Sequence, residues 1–359
     1  MKKFAWFLTV ILALSIVLSA CGTPAATQAP APVATEAPAQ PTEAPAATEA
    51  PAATEAPAAE AFKVAVVMPS AKNDLAFSQS MYDALLRVQE EMGSDKFEFV
   101  FSENMFVVDD AAAAIRDYAS QGYNLVIAHG SQYGSSLQEI APDFPQTSFA
   151  WGTTVDTFGQ PNIFAYEAAS EQGGFVNGVM AATLSKSNVI GVVGPIETGD
   201  AKLYVDGFKA GVLSVKPDAK VNVNYIGSFS DTALAAEAAN THISAGADVL
   251  TGSAQMVVGA IGKAKESNVL WFGTQSNQTS LAPEIVVASQ VYHWEGILKE
   301  MISLIQSGTL GGKSFKANLE NGGEVIEFNP DSKVAADAKT LAETTIKGIT
   351  DGTIKITLP

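Results

Sequence analysis

The sequence predicts an α/β protein with two lobes, each a doubly wound parallel sheet, and three observations lead there. From Phe62 onward short apolar runs alternate with stretches of helical periodicity, the pattern of strand–helix–strand units whose strands all run the same way. The order of elements repeats once along the chain, as architecture rather than as sequence. The clusters of polar and aromatic residues fall just after strands, at the end where open parallel sheets bind their ligands.

Phe62-Lys63-Val64-Ala65-Val66-Val67-Met68 is the first strand, and a helix begins near Ser78 with Met81, Leu85, Leu86 and Val88 as its apolar positions. Between them Asn73-Asp74-Leu75-Ala76-Phe77-Ser78-Gln79 forms the first strand-to-helix loop. A phenyl ring beside Asp, Asn, Ser and Gln offers one flat apolar face and several hydrogen-bonding groups, which suits a planar polar heterocycle. The same residues also fit a structural role, with Phe77 stapling the helix start into the core and Asp74 or Ser78 capping it. Next come strand Phe97–Phe101, a helix over Asp109–Ser120 with two acids at its positive end, and strand Asn124–His129. The last runs into His129-Gly130-Ser131-Gln132-Tyr133-Gly134, a second loop on the cleft side. After a short helix over Ser135–Ala141, strand Thr147–Trp151 ends at Trp151-Gly152-Thr153-Thr154, and Ile163–Tyr166 closes this half.

The second half opens with a helix over Glu171–Leu184 whose Gly173, Gly174 and Gly178 allow a neighbour to approach closely. Strand Val189–Val193 leads into Gly194-Pro195-Ile196-Glu197, then helix Leu203–Val215 and strand Val221–Ile226. Gly227-Ser228-Phe229-Ser230-Asp231-Thr232 echoes the first loop, with Ser230 or Asp231 as N-cap of helix Ala233–Ser244. Strand Ala247–Leu250 leads to Gly252-Ser253-Ala254-Gln255 and helix Val257–Glu266. Strand Val269–Phe272 leads to Gly273-Thr274-Gln275-Ser276-Asn277-Gln278. Strand Ile285–Ser289, helix Tyr292–Ser307, a Gly-rich hairpin over Gly308–Phe328 and a last helix from Ser332 to about Ile349 complete the chain. With crossovers near Tyr166, Gly273 and Gln290, the expected lobes are 62–166 plus about 274–310, and 167–273 plus about 311–359.

The start of the chain is of another kind. Met1-Lys2-Lys3, the apolar stretch Phe4–Val17 and the small residues Leu18-Ser19-Ala20 before Cys21 read as an export signal over 1–20. The only cysteine of the chain stands at the end of that signal, where it resembles the lipobox cysteine of bacterial lipoproteins. That resemblance implies acylation of Cys21 and a protein tethered to the outer side of a bacterial membrane. Residues 21–61 are nearly all Ala, Pro, Thr and Glu, with Thr-Glu-Ala-Pro recurring from Thr35, Thr42, Thr48 and Thr54. Such sequence builds no core and forms a stalk of ~100 Å at roughly 3 Å per residue. The net charge of −17 becomes −19 once Lys2 and Lys3 leave with the signal, which disfavours nucleic acid as a partner.

Several stretches taken together resemble one family. Asp74-Leu75-Ala76-Phe77-Ser78-Gln79 is similar to its Asp-Lys-Ser-Phe-Asn-Gln, and further support comes from Tyr166-Glu167-Ala168-Ala169-Ser170-Glu171-Gln172-Gly173-Gly174-Phe175-Val176-Asn177-Gly178, Val205-Asp206-Gly207-Phe208-Lys209-Ala210-Gly211-Val212, Gly227-Ser228-Phe229-Ser230-Asp231, Gly246-Ala247-Asp248-Val249 and Leu281-Ala282-Pro283-Glu284. They resemble the basic membrane protein family, the purine-nucleoside-receptor-like solute-binding lipoproteins of ABC importers. The resemblance implies the type I periplasmic-binding-protein fold, a small-molecule ligand, a permease partner, and Phe77 and Phe229 sandwiching a purine ring. Asp74 with Gln255 and Asn73 are then the expected readers of the ring edge. Gln275 stands where the family's nucleoside binders carry an Asp that holds ribose hydroxyls, and the family's lysine after the next strand has no counterpart near Ser289–Tyr292. A free base, a flavin or a pyrimidine therefore competes with a nucleoside as the ligand, and a sensory role competes with transport. Asn277, Tyr133, Trp151, Trp294 and His129 complete the expected contacts, with ordinary core packing open as the alternative for the three large aromatics and a satisfied core or surface imidazole for His129.

Catalysis finds little support. His129, His242 and His293 lie far apart and in no metal-ligand spacing. There is neither a Gly-x-Ser-x-Gly elbow nor a P-loop, and Asp109-Asp110 fits a helix start better than acid–base work. The reading is a binding protein without cofactor or metal.

Overall fold

A computed structural model describes residues 60–332 and 336–358; the expected export signal, most of the expected stalk and Cys21 lie outside the described residues. The chain forms two sheets of six strands each. The first half supplies β1 (Phe62–Val67), α1 (Phe77–Met92), β2 (Phe97–Ser102), α2 (Val108–Ser120), β3 (Leu125–His129), α3 (Gly134–Ile140), β4 (Ser148–Gly152) and β5 (Ile163–Ala168). The second supplies α4 (Ser170–Leu184), β6 (Val189–Gly194), α5 (Gly199–Val215), β7 (Lys220–Tyr225), α6 (Thr232–Ser244), β8 (Val249–Gly252), α7 (Val257–Glu266), β9 (Leu270–Gly273) and β10 (Val286–Tyr292). After them come α8 (Glu295–Gln306), β11 (Ser314–Ala317), β12 (Glu324–Phe328) and α9 (Ala336–Thr350).

The two strand orders are the same, β11-β5-β4-β3-β1-β2 and β12-β10-β9-β8-β6-β7. All neighbours pair in parallel except β10 with β12. Strands β3, β8 and β10 are buried at every position because helices cover both faces, and β3 accordingly runs Leu125-Val126-Ile127-Ala128 before its first polar residue. In the first lobe α1 and α8 pack on one face, and α2 and α3 on the other. In the second, α4, α5 and α9 cover one face and α6 with α7 the other.

Two expectations about the chain's last third give way. Gly308–Phe328 is not a hairpin: β11 joins β5 in the first sheet, and β12 crosses to pair antiparallel with β10 in the second. The segment 274–310 does not belong whole to the first lobe either, since β10 lies in the second sheet while α8 packs on α1 through Ile297, Leu298, Met301 and Ile302. Short strands separated by glycines have no periodicity that identifies their partner, and the fully buried β10 looks alike to either sheet. The chain thus crosses between lobes after β5, after β10 and after β11.

Helices α4 and α5 meet backbone to backbone. A Cβ on Gly174 would lie 2.5 Å from the Tyr204 carbonyl oxygen and one on Gly178 2.1 Å from that of Phe208. Reciprocally, one on Gly207 would lie 2.3 Å from the Glu171 oxygen and one on Gly211 2.1 Å from that of Phe175. No side chain other than hydrogen fits at these four places.

The last crossing carries a buried acid. Glu324, 1% exposed, accepts hydrogen bonds from the Gly173 N–H (3.1 Å) and from Gln290 Nε2, while its Oε2 has no partner. Burial, with Glu171 and Asp200 adding like charge, pushes its carboxyl up to about 8.

Two outcomes follow. Gly178→Leu must push the helices apart, and urea unfolding should show a loss of at least ~3 kcal/mol; a loss below ~1 kcal/mol would contradict the packing. Glu324 in the folded chain keeps between pH 4.5 and about 8 a proton that the unfolded chain releases. Its contribution is therefore full below pH 4.5 and is lost as pH rises through about 8. Melting temperature should fall over that window, and Glu324→Gln should flatten the profile.

Candidate functional site

The loops that leave the carboxyl ends of both sheets converge on one cleft enclosing about 380 Å³ of non-atom space, open solvent at its mouth included. Pro69 and Phe77 arrive after β1, Phe106 after β2, Gly130, Ser131 and Gln132 after β3, and Thr153 after β4. From the other lobe come Asp200 and Ala201 after β6, Phe229 after β7, Ala254 and Gln255 after β8, and Gln275 after β9. The site is thus shared by two sheets of identical strand order. By that order the counterpart of the Phe229 loop is the Phe106 loop, whereas the counterpart of Phe77 is the segment that carries Asp200.

Phe77 is set rigidly. Only 7% exposed, it belongs to the core beneath α1 and stacks on His129 with ring centroids 3.7 Å apart and planes 6° from parallel. Its carbonyl accepts from Ser80 Oγ (2.7 Å) and from His129 Nε2 (3.0 Å). With Nε2 as the donor, Nδ1 of His129 accepts from the Tyr166 hydroxyl at 2.7 Å. Burial depresses the imidazole to about 3, so it is neutral at physiological pH. Trp294, fully buried, donates from Nε1 to Ser80 Oγ (2.9 Å). His129 and Trp294 are therefore supports behind Phe77 and not cleft surface. Phe229 is held more lightly: it is partly exposed, and its carbonyl accepts from the Met256 N–H at 3.0 Å.

Asp74 turns inward to its own loop, where Oδ1 accepts from the N–H groups of Ala76 (2.9 Å) and Gln79 (3.0 Å) and Oδ2 from that of Ser78 (3.2 Å). Those bonds satisfy the free donors at the start of α1, so the capping alternative describes Asp74, which does not line the cleft. Asn73 is exposed and away from the cleft lining. Asn277 is exposed and donates to Glu327 Oε2 at 2.6 Å. Tyr133 is core, its hydroxyl donating to the Met105 carbonyl at 2.7 Å. Trp151 stacks on Phe158 (4.7 Å) and donates to the Gly130 carbonyl at 3.1 Å, holding a cleft loop from outside. Of the eleven expected contacts, Phe77, Phe229, Gln255 and Gln275 line the cleft.

Asp200 is the residue sequence reasoning missed. It is 7% exposed and takes hydrogen bonds from Thr153 Oγ1 (3.2 Å), Gln275 Nε2 (3.2 Å) and the Tyr292 hydroxyl (2.7 Å). Burial raises its carboxyl and these three donors oppose the rise. The apolar pattern of α5 begins at Leu203, so the polar first turn escaped notice; Gly199-Asp200, a glycine followed by an acid before an apolar run, was the available signal. Gln275 and Ala254 have left-handed backbones, with φ of 68° and 74°, a conformation uncommon for residues with a Cβ and retained where surrounding structure enforces it.

Among the described residues three hydrogen bonds tie the lobes across the cleft: that from Thr153 to Asp200, Ser276 Oγ to the Ala76 carbonyl (2.7 Å) and Gln278 Nε2 to the Leu75 carbonyl (3.2 Å). Among the described residues no group of His, Cys, Asp and Glu is placed to hold a metal ion, and no helix is long and apolar enough to cross a membrane.

A family model described as ABC transporter substrate-binding protein PnrA-like matches residues 61–356. A purine-binding protein of Brucella abortus is 27% identical over 293 residues, covering 82% of this chain and 82% of that protein. The ABC transporter nucleoside-binding protein BmpA of Lactococcus lactis is 28% identical over 320 residues, covering 83% of this chain and 89% of the relative. Among solved structures, a solute-binding protein of an ABC transporter system from Conexibacter woesei superposes with a TM-score of 0.68 at 21% identity, over 83% of this chain and 99% of the other.

The two rings differ in what their loss costs. Phe77→Ala should destabilise the apo protein by ~3 kcal/mol, whereas Phe229→Ala should cost less than ~1 kcal/mol. Equal losses in chemical denaturation would contradict the asymmetry.

Proposed function

The chain belongs to the PnrA-like family of ABC transporter substrate-binding proteins, and from that membership we propose that it captures a purine base or a closely related flat heterocycle between its lobes and delivers it to a permease. The observation that carries this reading is that Phe77 and Phe229, from separate sheets, line the same cleft. Aromatic faces on either side of a thin ligand contribute ~1 kcal/mol each beyond the area they bury, and they select planarity. Around them stand amides, hydroxyls and one carboxylate, groups that read the edge of a polar ring. The Brucella relative, a purine-binding protein, and the Lactococcus one, a nucleoside-binding protein, point the same way.

A free base suits this chain better than a nucleoside. Gln275 is a neutral amide already engaged with Asp200, and a neutral partner gives a sugar hydroxyl about half the strength that an ionised one gives. Cys21 is the proposed lipid anchor and residues 21–61 the tether, keeping the binding head outside the cytoplasm and at high effective concentration near its permease.

The test is a thermal-shift screen of the full chain in detergent against bases, nucleosides, flavins and sugars. A ligand at 100 times its dissociation constant should stabilise by ~2.7 kcal/mol, and purine bases should be among those that do. Phe229→Ala should weaken that binding at least about tenfold with the apo melting point nearly unchanged. Stabilisation by sugars alone, with purines inert, would sink the reading. Cys21→Ala should release the protein from the membrane fraction; retention there would remove the anchor.

A further inference from the structure

Asp200 is a buried carboxylate whose three hydrogen-bond donors, Thr153, Gln275 and Tyr292, are all neutral. A carboxylate offers about four lone-pair sites. Of the side-chain donors two reach Oδ2 and one reaches Oδ1, so Oδ1 carries the fewer of them, and Asp200 lines the cleft. The Gln275 amide is oriented by the same contact: with Nε2 on Asp200 its carbonyl Oε1 points elsewhere, and reversing the amide would aim that oxygen at a carboxylate. Gln275 is 2% exposed, lines the cleft, and its Oε1 has no hydrogen-bond partner. Asp200 Oδ1, with one side-chain donor, and Gln275 Oε1, with none, are the acceptors that these two hydrogen-bonded cleft residues offer a ligand, and a buried acceptor left unpaired is costly.

We infer that Asp200 and Gln275 together set ligand specificity by requiring a ring edge with two adjacent donors, a ring N–H beside an exocyclic amino group, as a 2-amino-6-oxopurine such as guanine presents. This rests on the purine reading and narrows it. Hypoxanthine keeps the ring N–H but lacks the amino group, so one acceptor stays unpaired. Adenine presents an amino group beside a ring nitrogen that is itself an acceptor, which would face Asp200 with lone pair against lone pair. A site built around buried acceptors discriminates strongly against ligands that lack the matching donor. The left-handed backbone at Gln275, φ 68°, is consistent with a side chain held in place for such a purpose.

The experiment is titration calorimetry of the full chain at pH 7.5 with guanine, hypoxanthine and adenine, on the wild type, Asp200→Asn and Gln275→Met, with apo melting recorded for each. The wild type should prefer guanine to hypoxanthine by at least about tenfold, and adenine should bind more weakly than guanine. Asp200→Asn should bring guanine and hypoxanthine to within about threefold of each other, and Gln275→Met should shrink the preference in the same direction. Should Asp200→Asn fail to fold, the wild-type ratio and Gln275→Met still decide. If purines bind but guanine has no advantage, or if that advantage survives in both folded variants, the specificity inference falls alone. If none of the three bases binds the wild type, the purine reading falls and takes this inference with it.

Discussion

The contact on which the rest of the second lobe depends is the backbone-to-backbone approach of α4 and α5. Four glycines, Gly174 and Gly178 on one helix and Gly207 and Gly211 on the other, each face a carbonyl of the partner at a distance that admits only hydrogen. This fixes where both helices begin. Ser170 opens α4 and bonds the Tyr292 hydroxyl at 2.6 Å, and the same hydroxyl donates to Asp200 in the first turn of α5. Separating the helices by the width of a methyl group would draw these two first turns off a common tyrosine and take Asp200 out of register with the cleft. The family-resembling stretches over Tyr166–Gly178 and Val205–Val212 are this helix pair, so much of the likeness in sequence records a packing requirement rather than ligand contacts.

The cleft walls are unequal. Phe77 is part of a stack that continues through His129 to Tyr166, whose rings lie 6.0 Å from the imidazole and 8° from parallel, and its carbonyl is bonded on two sides. Among the described residues no ring stacks behind Phe229, which is partly exposed. One wall is therefore a fixed plate whose cost was met in folding the first lobe, and the other keeps rotamer freedom until something covers it. Keeping His129 neutral matters to this arrangement, because its ring nitrogens meet a hydroxyl and a carbonyl and no carboxylate among the described residues, and a buried charge without a counter-ion is costly.

Much of the architecture could be read from the sequence, because parallel strands covered on both faces leave apolar runs that helices punctuate. The places where the reading failed share a cause, which is that partner choice is non-local. β11 is a four-residue strand flanked by glycines, and only the exposed edge of β5 decides where it goes. Residue roles were harder still. Asp74 and Asp200 both stand between a strand and a helix, yet one turns back on its own backbone amides and the other faces the cleft. The difference lies in loop conformation that composition does not encode. Aromatic residues stayed ambiguous for the same reason: Tyr133 and Trp294 follow strands at the cleft end, where a ligand contact and a core position read alike, and both rings are buried in the core.

The bonds between lobes are few, and all but the one from Thr153 to Asp200 join uncharged groups. Each exchanges with water at a net gain of ~1 kcal/mol, so the hydrogen bonds across the cleft add only a few kcal/mol to the hold of one half on the other. A shutter fastened so lightly leaves its closure to whatever binds both walls better than one. How long cargo stays is then governed by the cargo's own grip on both walls. A downstream acceptor has little mechanical work to do in prising it loose.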